Sequence, residues 1–100
     1  MLKSTLNKGF QLTFENGLTI SVQWGYGNYC ERRSYDKYDS VMQSDSFNES
    51  HDAEIAIWDE NKKWHDFGSD EVKGWCSADE VAAWITKTAN AINIESITNG

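Results

Sequence analysis

The chain contains no proline, only two cysteines, and no apolar run near the ~20 residues that a membrane-spanning helix requires. Without proline there is no proline-rich linker to divide the 100 residues, and 39% hydrophobic content predicts a single domain over residues 1–100 that buries a core without covalent staples. Cys30 and Cys76 are too few for a disulfide scaffold and read as thiols in a reducing cytosol. The start, Met1-Leu2-Lys3-Ser4-Thr5, has no charged-then-apolar leader, so the expected location is the compartment of synthesis. Basic residues are also scarce. Residues 36–80 hold thirteen acids and four bases, a net charge of −9, whereas residues 1–33 hold four bases and two acids, a net +2. A chain of net charge −7 without a basic stripe is not built to grip duplex nucleic acid. Its acidic stretch either keeps the protein soluble or attracts a basic partner surface.

The patterned part of the chain begins at Gly9. Phe10, Leu12 and Phe14 alternate with polar residues, as do Leu18, Ile20, Val22 and Trp24, which is the period of half-buried strands. A two-residue turn at Asn16-Gly17 would put these apolar rows on opposite faces of the sheet. A three-residue loop, with Glu15 and Asn16 in a turn and Gly17 at positive φ, pairs Phe14 with Leu18, Leu12 with Ile20 and Phe10 with Val22, and is the register expected.

Residues 34–52 show no period and many turn formers, which predicts a long polar loop whose Tyr35, Tyr38, Val41, Met42 and Phe47 pack down in part. A second hairpin is expected from Ala53–Asp59 and Lys63–Phe67 around the polar turn at 59–62. Ser77-Ala78-Asp79-Glu80 is a capping box, and Val81, Trp84, Ile85, Thr88, Ala89 and Ile92 then recur at helical spacing through about Asn93. The fold expected is α+β: an antiparallel four-stranded sheet of two hairpins with one C-terminal helix packed on one face, and a frayed tail from Ile94 to Gly100. The core expected is Phe10, Leu12, Phe14, Ile20, Val22, Ile55, Ile57, Val81, Trp84, Ile85 and Ile92. One helix covers one face of such a sheet, so the bulky residues on the other face predict self-association as a homodimer.

Chemistry-bearing motifs are few. Cys30, His51, His65 and Cys76 lack the close spacing of metal ligands, and His65 and Asp66 as strand neighbours point to opposite faces, so no catalytic residue, metal or cofactor is expected. The binding candidates are aromatic. Trp24, Tyr26 and Tyr29 offer stacking faces, Asn28 offers amide contacts, and Arg32-Arg33 is the only adjacent basic pair before the acidic stretch, together a candidate grip on a nucleotide. The bland alternative is a bulged strand end with core aromatics and arginines paired to Glu31, Asp36 or Asp39. Of the five tryptophans, at 24, 58, 64, 75 and 84, Trp84 is core by the helix pattern; the remainder are core or, if exposed, partner anchors, with Trp58 and Trp64 named as candidates beside Trp24.

Three blocks, Gly9–Cys30, Ala53–Asp59 and Gly74–Val81, together resemble a family of small uncharacterised proteins encoded by tailed bacteriophages. The likeness spans about half the chain and carries over no catalytic residue. It implies a role in the cytoplasm of an infected bacterium, where phage proteins of this size bind and disable host defence components. Two binding modes fit: sequestration of a nucleotide signal made by a defence system, and acidic inhibition, of the anti-CRISPR or nucleic-acid-mimic kind, of a basic surface on a defence protein.

Overall fold

A computed structural model describes residues 1–5, 9–25, 27–32 and 49–100. Tyr26, Arg33 and residues 34–48 of the predicted loop lie outside them. Five strands, β1 (Leu2–Thr5), β2 (Gly9–Thr13), β3 (Thr19–Gln23), β4 (Asp52–Trp58) and β5 (Lys73–Ser77), form one antiparallel sheet in the order β1-β2-β3-β4-β5. Helix α1 (Ala78–Asn90) follows β5 directly and packs on β3, β4 and β5. The class is α+β with one C-terminal helix, but the sheet has five strands, not four.

Two changes account for the difference. β1 was not expected, because Leu2 is its only large apolar residue; the strand exists by pairing with β2, Leu2 opposite Leu12 and Ser4 opposite Phe10. The expected strand at 63–67 makes only one isolated bridge, Trp58 to Trp64, supported by the His65 amide donating to the Ile57 carbonyl at 2.8 Å. The ladder partner of β4 is instead β5, with Cys76 opposite Ala53 and Ser77 opposite Asp52. Turn chemistry explains the exchange. Asp59 Oδ1 accepts from the amides of Asn61 and Lys63, and Lys62 and Gly68 sit at φ 66° and 110°, so the chain bends away after one bridge.

The first hairpin has the expected register, with Phe10 opposite Val22 and Leu12 opposite Ile20, and the Phe14 amide donating to the Leu18 carbonyl at 2.9 Å. Gly17 takes φ 85°. Asn16 supplies a reason for the three-residue loop: its Oδ1 accepts from the Leu18 amide at 3.0 Å, while Nδ2 donates to the carbonyls of Thr88 and Ala91, each at 2.9 Å. The hairpin turn thereby caps the C-terminal carbonyls of α1.

At its other end α1 carries the expected capping box, the Glu80 amide donating to Ser77 Oγ and the Ser77 amide to Glu80 Oε1. Ile20, Val22, Ile55 and Ile57 are buried with Leu18, Cys76 and Trp84, and Phe10, Leu12, Phe14, Val81 and Ile85 pack on them partly buried. Ile92 departs from expectation at 86% exposed. The helix stops at Asn90, short of Asn93, and an extended Ala91 leaves Ile92 outside. The tail does not fray: Ile94–Ser96 forms a 3₁₀ turn capped by Asn93, and Ile94 and Ile97 are buried in the same core.

The pairing also sorts the faces. Phe10, Leu12, Ile20, Val22, Ile55 and Ile57 share the face under α1, and Thr13, Thr19, Ser21, Glu54, Ala56 and Trp58 share the other.

Candidate binding surfaces on the two faces of the sheet

After β3 the chain folds back onto the helix-free face of β4, where two carboxylates receive it. The Glu54 carboxylate accepts from the Tyr29 amide at 2.9 Å and from Asn28 Nδ2 at 3.1 Å, and Asp52 accepts from the Glu31 amide at 2.7 Å. Asn28 Oδ1 in turn accepts from the Gly25 amide at 2.9 Å. Glu31 returns the contact, accepting from the His51 amide and ring Nδ1, both at 3.0 Å; the amide bond above all holds its carboxyl below the ordinary 4.5. Arg32 Nε donates to the Glu49 carbonyl at 2.8 Å and its guanidinium lies 3.9 Å from Glu31. Asn28 is buried, and the Arg32 side chain is only 19% exposed. Both are fixed in the base of the segment between Arg32 and Glu49.

Trp24 lies on the other face. It meets Phe10 edge-to-face at 6.1 Å between centroids and lines a cavity of about 370 Å³ with Phe10, Val22, Ala53 and Val81, the rim being Glu49 to Asp52. Cys76 also borders it, its thiol pushed up to about 11 chiefly by burial. Cys30 is raised as well, again mainly by burial. Thiols so shifted stay protonated and are poor nucleophiles at neutral pH. Among the described residues no three His, Cys, Asp or Glu side chains gather to hold a metal ion. No helix among them is long and apolar enough to cross a membrane.

The helix-free face carries two aromatic pairs. Trp58 and Trp64 stack with centroids 4.9 Å apart and planes 27° apart, at the end of β4 where Trp58 lies opposite Thr19. Tyr29 and Trp75 meet at 5.8 Å, tilted by 40°, near the Glu54 end of the same strand. Trp75 is 56% exposed and Trp64 39% exposed. The sequence candidates therefore separate: Trp24 belongs to the helix-face cavity, Tyr29 to one aromatic pair, Trp58 and Trp64 to the other, and Asn28 and Arg32 to the framework between. Trp75, one of the tryptophans expected to be anchors if exposed, was not singled out as a site residue. The signal available was Gly74, whose lack of a side chain lets β5 lie against Tyr29: a Cβ at Gly74 would come 2.5 Å from that of Tyr29.

The architecture is a five-stranded antiparallel meander covered on one face by a single helix. No family model matches this chain, and neither a curated protein nor a solved structure does.

Proposed function

We propose that this chain is a non-enzymatic binding protein which, as its resemblance to tailed-phage proteins suggests, acts in the cytoplasm of an infected bacterium by covering a basic surface of a host defence protein. The observation that carries this reading is the pair of exposed tryptophans, Trp75 and Trp64, each backed by a second ring on the sheet face that α1 leaves uncovered. Large aromatics presented rigidly on an acidic domain are the usual anchors of protein interfaces. The test is the double variant Trp64→Ala/Trp75→Ala. A melting temperature near that of the parent together with lost protection of phage supports a contact surface, and full protection by the double variant removes it.

Sequestration of a nucleotide signal is the second reading, and the cavity beside Trp24 is the observation in its favour. The cavity is lined mainly by apolar groups, and Arg32, which is not among its lining residues, already serves the Glu49 carbonyl and Glu31. That chemistry favours a planar apolar group over a phosphate, so the protein-binding reading is preferred. Salt separates the two: association led by acidic charge weakens steeply as ionic strength rises, whereas stacking in a cavity does not.

A further inference from the structure

The dipeptide Asn-Gly occurs twice in the chain, at Asn16-Gly17 and at Asn99-Gly100. Because glycine has no side chain, its amide nitrogen can close on Cγ of the preceding carboxamide. The Cγ–Nδ2 bond breaks as the Cγ–N bond forms, the amide proton leaves with Nδ2 as ammonia, and water then opens the succinimide to aspartate or isoaspartate. The two copies sit in opposite circumstances.

At the first, every group that would react is engaged. The Gly17 amide donates to the Phe14 carbonyl at 3.0 Å, Asn16 Oδ1 accepts from the Leu18 amide, and Nδ2 holds the carbonyls of Thr88 and Ala91. Ring closure there must first open the turn and uncap α1.

At the second, the nucleophile is unengaged and the carboxamide is polarised. The Gly100 amide makes no hydrogen bond among the described residues, and nothing stands within 4 Å of where a Cβ on Gly100 would be. Lys87 Nζ donates to the carbonyls of Thr98 and Gly100, at 2.8 and 3.0 Å, so a cation lies beside the amide whose proton must leave. Asn99 Nδ2 donates to the Asp66 carbonyl at 3.1 Å, which turns Oδ1 toward His65 Nε2 at 2.7 Å and makes that ring nitrogen the donor. The imidazole is held in place: it is buried, edge-to-face with Phe67 at 4.7 Å and tilted against Trp84 at 5.9 Å. A fixed N–H therefore points at the oxygen on which negative charge gathers when the Gly100 nitrogen adds.

We propose that Asn99-Gly100 is a self-modification site, at which the folded chain deamidates Asn99 in a single turnover with His65 stabilising the charge on Oδ1, while Asn16-Gly17 is kept inert. Conversion removes the Nδ2 donor from the Asp66 carbonyl and sets a carboxylate against His65, a one-way change where the tail meets the segment 63–67. The test follows both positions by peptide mapping and mass spectrometry, in the full chain held at neutral pH with and without urea. Relative to its own rate in urea, position 99 should react about tenfold faster in the folded protein, a modest share of what an aimed donor contributes to a developing oxyanion. Position 16 should react at least about tenfold slower than in urea, because it waits on local opening. His65→Phe keeps a ring against Phe67 and Trp84 but removes the donor, and should bring position 99 down to its rate in urea; His65→Gln, which keeps an N–H, should retain part of the acceleration. A merely structural His65 gives the opposite sign, since a loosened tail exposes Asn99 and quickens its loss. Position 99 reacting no faster folded than in urea, or position 16 keeping pace with it, overturns the proposal, and an equal or faster rate in His65→Phe removes His65 from it.

Discussion

Asn16 illustrates how much a single side chain decides. Its carboxamide joins the first hairpin to the last turn of α1, elements at opposite ends of the chain, through bonds to Leu18, Thr88 and Ala91. Asn16→Ala takes away the Asn16 partner of the Leu18 amide and of the Ala91 carbonyl and leaves the Thr88 carbonyl only the Ala91 amide at 3.4 Å, and should cost about 2 kcal/mol in chemical denaturation, more than a turn substitution alone. Asn16→Asp should cost more still, since it sets a carboxylate against the negative end of the helix dipole. Glu31 is the second such residue. Its carboxyl lies below 4.5 because of the His51 amide, so its contribution to stability is complete above 4.5 and is lost as pH falls through the lowered value. Urea midpoints measured from pH 6 down to about pH 3 should fall more for the parent than for Glu31→Gln. A parallel decline of both proteins would assign the acid sensitivity elsewhere. Cys76 acts at the alkaline side: with its folded value raised to about 11 from 9.0, its contribution is whole below 9 and disappears as pH rises toward 11.

At the scale of elements, β5 and its junction with α1 combine a strained bulge with a strong cap. The Ser77 cap was legible as a sequence pattern because a capping box is local, Ser77 and Glu80 bonding to each other across three residues. The strand just before it was not legible. Lys73-Gly74-Trp75-Cys76-Ser77 is short, interrupted by a glycine and bulged, and it becomes a strand only when Ala53 and Asp52 stand beside it. The bulge makes its own prediction. Trp75→Ala and Trp75→Gly both remove the ring, but glycine accepts φ 51° without a Cβ penalty, so the glycine variant should be the more stable by about 1 kcal/mol. Equal melting temperatures would mean that the backbone relaxes once the indole is gone.

Over the whole molecule, α1 packs on β3, β4 and β5, and among the described residues it makes at most a few contacts with β1 and β2 on the same face. Leu2, 85% exposed, lies there with Phe10 and Leu12 around a shallow apolar hollow. We propose that a second copy of the chain covers this side; the sequence led to a homodimer too, but through the face opposite the helix. Light scattering at tens of micromolar should report a dimer, and Leu2→Asp should return it to a monomer. A monomeric mass for the parent at that concentration removes the proposal.

Sequence alone determined what depends on near neighbours and on period. The three-residue loop at Gly17, the pairing of Phe10 with Val22, the capping box and the stripe from Val81 to Ile85 follow from which side chains must share a face, and a shift of one residue would have turned a whole row outward. Tertiary structure decided whatever rests on a distant partner. It gave β4 its neighbour β5 in place of 63–67, buried Ile94 and Ile97 while leaving Ile92 in solvent, and set Arg32 against Glu49. It also turned Trp75 outward on a backbone that bonds to the distant Tyr29 carbonyl. Such choices compare the burial and hydrogen bonding that separate segments achieve together, and no local pattern encodes that sum.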